Sequence, residues 1–266
     1  MFVPDTLPES LSQIVVVLWE PQDDINIGNA VRACKNFGVH DLRLVRPKEA
    51  DPHQISISAP KAPEIIQNIG HYETFAEAVE DCVLTVATTA RPRTGRQVVT
   101  EPRGAAATTV EATDDGKVAY VFGREDSGLP NEIVDRCHSI VTIPTDPDYS
   151  SLNLGQAVLL NMWEIFREAT DAPEERPDLE RVEANREHPP AEMGSIDRMI
   201  ETAERALHAI DFFKIDQTWH IMRSIRSVFL RADLDEREAA IWHGIFGEVL
   251  DAVGADDRAD EDDDVS

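Results

Sequence analysis

The chain of 266 residues carries 51 Asp and Glu against 25 Lys and Arg, and this net charge of −26 excludes a simple basic nucleic-acid clamp. Its hydrophobic fraction of 42% is high enough to build a core, so intrinsic disorder over most of the chain is also excluded. Acidic residues exceed basic ones in every segment, and only five of the basic residues are Lys. Such diffuse acidity is typical of a protein that stays soluble in molar salt, so we expect a halophilic source; an acidic mesophile protein with a solvated tail is the alternative.

The cysteines and the hydropathy pattern narrow the class further. Cys34, Cys82 and Cys137 lie far apart without a Cys-x-x-Cys pair, which favours small core residues over a disulfide framework or a zinc site. No run of about 18 apolar residues occurs, and the N-terminus lacks a signal-peptide pattern. We therefore expect a soluble cytoplasmic protein with no bound metal and no membrane contact.

Apolar runs alternate with helical patterns over residues 1–169. Ile14–Trp19 is a continuous β-branched run, which is typical of a strand buried on both faces of a parallel sheet. A helical stripe follows and ends at Gly38, where a C-terminal cap is expected. Further strands are predicted over Leu42–Val45, Val83–Thr88, Val118–Phe122 and Ile140–Ile143, and further helices around Ala76–Asp81, Asn131–Cys137 and Gln156–Arg167. The alternation predicts an α/β domain with a mostly parallel sheet.

The composition changes after residue 169. Residues 170–194 hold four prolines and eight acids, which predicts a linker. Between residues 195 and 254 three amphipathic stripes begin at Ile196, Ile221 and Ile241, and they predict a small helical extension. Its stripes must be buried against each other, the main domain or a second subunit. Residues 255–266 predict a disordered acidic tail.

Three polar segments that contain glycine follow predicted strands, at the edge where open α/β sheets bind ligands. They span residues 20–32, 123–132 and 144–157. The chain has no Gly-rich dinucleotide loop and no Walker loop, which disfavours hydride transfer and NTP hydrolysis. Each segment alone is better explained by helix caps at Asn26, Asn131 and Asn153 with glycines in turns. All three in this order are more specific than any one of them.

Together the segments resemble the three motifs of the SPOUT superfamily of RNA methyltransferases, in the TrmH-like branch and closest to the TrmJ group. The resemblance covers nearly all of residues 13–168 and rests on E-P-x-x-x-x-N-I-G-x-x-x-R at 20–32, F-G-R-E-D-S-G-L at 122–129 and Y-S-S-L-N-L at 149–154. That group also carries an amphipathic extension similar to Arg223–Ala232. The resemblance implies a trefoil-knotted α/β fold and a homodimer with its active site at the interface. It also implies 2′-O-methylation of tRNA at nucleotide 32 in the anticodon loop, with the choice between cytidine and uridine left open.

The resemblance further assigns roles to individual residues. Arg32 receives the activating role, but an arginine with a pKa above about 12 is an awkward general base. Holding a phosphate and stabilising the developing alkoxide is an equally open role for it. Asn26, Ser151 and Asn153 are expected to orient the ribose and Arg32, and Glu125 to fix the arginine or the loop. Contacts to S-adenosylmethionine are implied for Thr88, Thr89, Ala90, Gly123, Ile143, Ser150, Ser151 and Leu152.

RNA binding requires local positive charge, because phosphates dominate the affinity. Arg91, Arg93 and Arg96 directly follow a predicted strand and are expected to grip phosphates, with a solvated turn as the alternative. Arg223 and Arg226 in the extension are further candidates, unless they lie on an exposed helix face balanced by acids. The competing function is a catalytically silent RNA-binding protein of the same fold, or one with a different RNA target.

Overall fold

The computed structural model describes residues 7–90, 98–170, 188–213 and 218–254. The chain divides into two compact units, residues 1–184 and 185–266. The first is an α/β unit and the second is built from helices.

The first unit is organised around a parallel sheet of seven strands within the described residues. The strands are β1 (Ile14–Trp19), β2 (Asp41–Val45), β3 (Gly70–Tyr72), β4 (Cys82–Thr88), β5 (Val98–Thr100), β6 (Lys117–Phe122) and β7 (Ser139–Val141). Their order across the sheet is β3-β2-β1-β6-β4-β7-β5, and every neighbouring pair is parallel. All carboxyl ends therefore meet at one edge, and the predicted α/β class with a parallel sheet is confirmed.

Helices lie in five of the six connections between consecutive strands, as parallel pairing requires, and the connection from β4 to β5 falls largely outside the described residues. They are α1 (Asp24–Asn36), α2 (Pro52–Ser58), α3 (Pro63–Gln67), α4 (Phe75–Val79), α5 (Pro102–Ala112), α6 (Asn131–Val134) and α7 (Leu154–Thr170). Short 3₁₀ turns cover Glu9–Gln13 and Pro147–Tyr149. Helix α1 packs against both α2 and α7, and α7 also packs against α5. Gly38 has a φ of 72° directly after the last turn of α1, so the predicted glycine cap is confirmed.

The core lies on the central strands. All six residues of β1 are buried, because β1 is flanked by β2 and β6 and its apolar side chains fill both faces of the sheet. Tyr120 on β6 is buried as well, and its hydroxyl lies 2.7 Å from the Thr109 hydroxyl on α5. The three cysteines are free and buried, as predicted. Burial raises the pKa of the Cys34 thiol to about 12.

Four charged side chains form a network at the opposite, amino edge of the sheet. Arg43 is buried and donates to the carboxylates of Asp41 and Asp81 at 2.7 and 2.6 Å. Lys117 donates to the same two carboxylates, at 3.0 Å each. Partial burial alone would raise the pKa of Asp81, but the hydrogen bonds from Arg43 and Lys117 outweigh it and hold that pKa well below its usual range. The pKa of Asp41 is lowered by the same balance.

Within its described residues the second unit contains three helices, as the apolar stripes predict. They are α8 (Met193–Ala209), α9 (Thr218–Ala232) and α10 (Glu236–Val253). Helix α10 packs along α8. The segment before α8 contacts the turn after α9, where the Ala191 N–H donates to the Leu234 carbonyl at 2.9 Å. Arg226 on α9 forms an ion pair with the buried Asp197 on α8.

Candidate active site

A cavity of about 320 Å³ lies at the carboxyl ends of three adjacent strands, β6, β4 and β7. This is the edge where the sequence predicts a ligand site. Its wall comes from the segment after β4, the turn after β6 and the long segment between β7 and α7. The wall includes every residue for which a cofactor contact is implied, namely Thr88, Thr89, Ala90, Gly123, Ile143, Ser150, Ser151 and Leu152.

The turn after β6 has a shape that only glycine allows at its first residue. A Cβ on Gly123 would lie 2.2 Å from the carbonyl carbon of Gly128 and 2.2 Å from the backbone nitrogen of Leu129. The turn closes through the Gly128 N–H, which donates to the Arg124 carbonyl at 2.8 Å, and Gly128 itself has a φ of 70°. Residues 123–128 therefore fold back on themselves and present backbone to the cavity.

The polar groups of the wall suit a nucleoside ligand. The Thr88 hydroxyl is buried and has no hydrogen-bond partner among the described residues. Buried hydroxyls without a partner are rare, so this group fits a position that a ligand satisfies. Ile143, Leu152 and Ala157 add apolar wall beside it. The volume and this mixture of groups fit S-adenosylmethionine, whose adenine is flat and whose ribose is polar.

Three predicted catalytic side chains meet in one hydrogen-bond network next to the cavity. Glu125 accepts from the Asn26 side-chain amide at 3.1 Å and from the Gln22 N–H at 3.1 Å. Asn26 in turn accepts from the Asn153 side-chain amide at 2.8 Å. The three polar segments of the sequence are thus joined by direct contacts. Of the two roles left open for Glu125, the geometry favours fixing the loop.

The interpretation of the asparagines as helix caps is wrong at two of three positions. Asp23 caps α1 through its side chain, so Asn26 lies inside the helix and its amide is used by the network. Pro130, not Asn131, precedes the first turn of α6. Asn153 does act as a local cap, since its side-chain oxygen accepts from the Gly155 N–H at 2.9 Å. It contributes its amide nitrogen to the network at the same time.

Arg32 lies outside this network. It is exposed on α1, six residues after Asn26, and within the described part of the chain it makes no hydrogen bond or ion pair. Ser151 is exposed at the cavity wall. The structure therefore brings Asn26, Glu125 and Asn153 together, places Ser151 on the cofactor side and leaves the Arg32 guanidinium available.

A chain of alternating charges was missed by sequence reasoning. Glu20 lies within ion-pair distance of Arg46 at 2.6 Å and of Arg124 at 3.5 Å. Arg124, a residue of the cavity wall, also donates to Asp126 at 2.9 Å, and this bond holds the pKa of Asp126 well below its usual range. No sequence spacing signals these contacts, because Arg46 belongs to none of the three polar segments.

The predicted RNA-binding arginines fall into three groups. Arg91, Arg93 and Arg96 lie outside the described residues. Arg223 is exposed on α9, with its guanidinium carbon 5.5 Å from the centre of the Trp219 ring. Arg226 is only 16% exposed because it pairs with Asp197, so its charge is already used within the second unit.

Two features are absent from the described residues. No cluster of three or more His, Cys, Asp or Glu side chains there is placed to bind a metal ion. None of the described helices is long and apolar enough to cross a membrane.

Comparison with known proteins gives consistent matches over both units. The model of the SpoU rRNA methylase family matches residues 13–163, and the model of the C-terminal domain of the tRNA methyltransferase TrmJ matches residues 194–261. A protein of Haemophilus influenzae described as an uncharacterized tRNA/rRNA methyltransferase is 36% identical over 239 residues, which is 90% of this chain and 95% of that protein.

Two further relatives extend the comparison to a defined activity and to a solved structure. A tRNA (cytidine/uridine-2′-O-)-methyltransferase TrmJ, from Photorhabdus laumondii, is 34% identical over 90% of this chain and 97% of its own. The crystal structure of TrmJ from Z. mobilis ZM4 is similar with a TM-score of 0.75 and 32% identity, covering 88% of this chain and 98% of that one.

Proposed function

The chain belongs to the SpoU family of RNA methyltransferases, in its TrmJ group, and from this premise we propose that it methylates a ribose 2′-hydroxyl of tRNA. The observation that carries the proposal is the cavity at the carboxyl edge, whose wall contains all eight residues expected to contact the methyl donor. The proposed target is nucleotide 32 of the anticodon loop, a cytidine in the first place and a uridine in the second.

When bound, S-adenosylmethionine would supply an electrophilic methyl group to the 2′-oxygen, with the electron pair of the broken sulfur–carbon bond kept by sulfur and the hydroxyl proton released. The residues of this chain hold the donor in the cavity. The turn at 123–128 presents backbone to it, and the Thr88 hydroxyl is available as a hydrogen-bond partner. Ile143 and Leu152 would add apolar wall around the donor. Such fixed placement removes much of the entropic cost of an in-line displacement.

The amide network prepares the ribose side of the site. Because Glu125 and Asn153 hold the two ends of the Asn26 amide, that side chain is fixed in one orientation. Arg32, whose guanidinium has no partner among the described residues, binds the phosphate next to the ribose and stabilises the oxygen as its proton leaves. An arginine stays charged at any ordinary pH, so the proton goes to the phosphate or to water.

A homodimer is part of the proposal because α7 exposes an apolar stripe. Leu159, Leu160 and Trp163 are 39%, 39% and 44% exposed and share one face of the helix at spacings of three and four residues. Ile25 on the neighbouring helix α1 is 53% exposed. Contiguous exposed apolar side chains mark protein interfaces. We propose that a second copy covers this face and that the active site forms beside it.

RNA contact is proposed for Arg91, Arg93, Arg96 and Arg223. Helix α9 contains three arginines and no acidic residue, which is unusual in a chain with 51 acids. Arg223 lies beside the exposed ring of Trp219, and an arginine with an aromatic side chain is a suitable surface for phosphates and unpaired bases. Charge reversal at Arg93 and Arg96 should weaken tRNA binding and leave cofactor affinity unchanged; unaltered tRNA affinity would remove these residues from the proposal.

Methyl transfer from labelled S-adenosylmethionine to tRNA tests the function directly. Transcripts with cytidine, uridine or a 2′-deoxy nucleotide at position 32 are compared, and the modified position is mapped by mass spectrometry. Only the 2′-deoxy transcript should fail completely. Cofactor and tRNA binding without any transfer would instead support the catalytically silent alternative, and transfer to another nucleotide would correct the target.

An Arg32→Ala variant tests the role of the guanidinium. Turnover should be lost while cofactor affinity stays within about threefold, because Arg32 lies outside the cavity wall. Lys35→Ala is the matched control: Lys35 is exposed on the same helix, but its charge is paired with Glu64 on α3. Retained turnover in Arg32→Ala would contradict the assignment.

A further inference from the structure

Glu20 has a backbone conformation that its residue type disfavours. It directly follows β1 and has a φ of 47°, in the left-handed region that glycine adopts freely and side-chain-bearing residues adopt rarely. Arg46, which directly follows β2, shows the same feature with a φ of 45°. Strained residues at a ligand-binding edge persist where their side chains make contacts that compensate.

The Glu20 carboxylate connects the ends of three neighbouring strands. Strand β1 lies between β2 and β6 in the sheet, and Glu20 pairs with Arg46 after β2 and with Arg124 after β6. The Arg46 guanidinium is held from its other side by the Trp19 ring, with 4.6 Å between the guanidinium carbon and the ring centre. The Glu20 carbonyl also accepts from the Gln22 side-chain amide at 2.6 Å.

The contact of Glu20 with Arg124 leads to the candidate active site. Arg124 lines the cofactor cavity and is followed by Glu125, which holds Gln22 and Asn26. The segment after β1 and the turn after β6 are therefore joined by two bridges, one from Glu20 to Arg124 and one from Glu125 to Gln22 and Asn26. The first loop leads to Arg32 and the ribose, and the turn carries the wall that holds the donor.

We infer that Glu20 is a positioning residue that keeps the donor side and the ribose side of the site in register through Arg124. It is absent from the wall of the cavity that holds the donor, so it acts through Arg124 and not by contact with the donor. The inference rests on the proposed methyl transfer and adds to it a residue that the three motifs leave without a role. A displacement of about 1 Å between two reacting groups lowers a rate by as much as 100-fold, so loss of this link should act mainly on turnover.

The test compares three single variants in single-turnover methyl transfer to tRNA. Glu20→Gly removes the carboxylate and relieves the left-handed backbone, so its melting temperature should not fall below that of the wild type. Its transfer rate should fall at least about tenfold, while cofactor affinity and tRNA affinity each stay within about threefold. Glu20→Gln, which keeps hydrogen bonds but loses the charge, should be intermediate. Glu64→Gln removes the carboxylate of the exposed Lys35 pair and should match the wild type.

A double variant shows whether Glu20 acts through Arg124. If it does, adding Glu20→Gln to Arg124→Gln causes little further loss of rate, whereas independent effects would multiply. A wild-type rate in Glu20→Gly, or a multiplied loss in the double variant, overturns the inference. A wild-type protein that transfers no methyl group to tRNA would refute the proposed function instead, so the two failures are distinguishable.

Discussion

Replacing Gly123 by alanine should damage cofactor binding more than any other single methyl addition in the turn. The new Cβ would lie 2.2 Å from two backbone atoms, the carbonyl carbon of Gly128 and the nitrogen of Leu129. Real Cβ contacts are almost never shorter than 3.0 Å, so the two segments must separate by roughly 0.8 Å. No side-chain rotation relieves this contact, because both atoms are backbone.

The size of the expected loss of cofactor affinity depends on which part of the turn can move. Leu129 is 2% exposed and anchors the end of the turn in the core, so the displacement falls on residues 123–128, which form cavity wall. Overpacking of this kind costs about 1–3 kcal/mol. If the turn relieves this contact by moving away from the cavity, the bound state loses the same energy. Affinity for S-adenosylmethionine then falls about 10-fold to 100-fold, since each factor of ten corresponds to about 1.4 kcal/mol.

Calorimetric titration with S-adenosylhomocysteine, the unreactive product, measures this loss without interference from catalysis. Gly128→Ala is the matched control: a Cβ there meets nothing within 4 Å, but the φ of 70° disfavours alanine. That variant should lose about 1–2 kcal/mol of stability and less affinity than Gly123→Ala. An affinity of Gly123→Ala within twofold of the wild type would refute the steric argument.

Three further predictions concern stability. The pKa values of Asp41 and Asp81 are lowered in the folded state, so the stability that these carboxylates add is present above about pH 4 and is lost as the pH falls through their folded pKa values. In Asp81→Asn the melting temperature should therefore depend less on pH in the acid range than it does in the wild type. Equal acid sensitivity of the variant and the wild type would exclude the network as its origin. Tyr120→Phe leaves the buried Thr109 hydroxyl without its partner, so the free energy of unfolding measured by chemical denaturation should fall by about 1–3 kcal/mol. Adding Thr109→Val should restore part of that loss. An unchanged free energy of unfolding in Tyr120→Phe would show that the hydrogen bond contributes nothing. If the acidic surface reflects a halophilic source, the melting temperature should rise steadily from about 0.1 M to about 3 M KCl as screening weakens self-repulsion; full stability at low salt would contradict that origin.

The central part of the fold was predictable because its elements bury whole faces. The run Ile14–Trp19 fills both sides of the sheet, and each residue of it is buried, so its composition alone identifies a strand. Helix α5 gave no such signal. Its sequence is mostly alanine and threonine, and a helix that contacts its neighbours through small side chains shows no strong apolar period. The three-residue strands β3 and β5 are too short to show an alternation.

The sequence predicted which residues belong to the candidate site, but not which hydrogen-bond and ion-pair partners they have. The resemblance to the SPOUT motifs named eight residues for cofactor contact, and all eight lie in the wall of one cavity. The partners of individual side chains depend on how distant segments meet. Glu125 was expected to fix either the arginine or the loop, and only the geometry shows that it holds Gln22 and Asn26. The sequence makes Arg226 a candidate for RNA contact, but its ion pair with Asp197 depends on how α8 and α9 meet and could not be predicted.

The hydrogen bond between Asn26 and Asn153 joins residues 127 positions apart. During synthesis the first of them leaves the ribosome long before the second, and the cavity wall is likewise incomplete until Ala157 has emerged. Contacts of such separation form late, because the loop between them must be closed first. A growing chain therefore exposes Asn26 through about half of its synthesis before Asn153 and the last residue of the cavity wall, Ala157, are present. Binding of the donor in this cavity thus reports that the chain has been made and folded at least as far as Ala157.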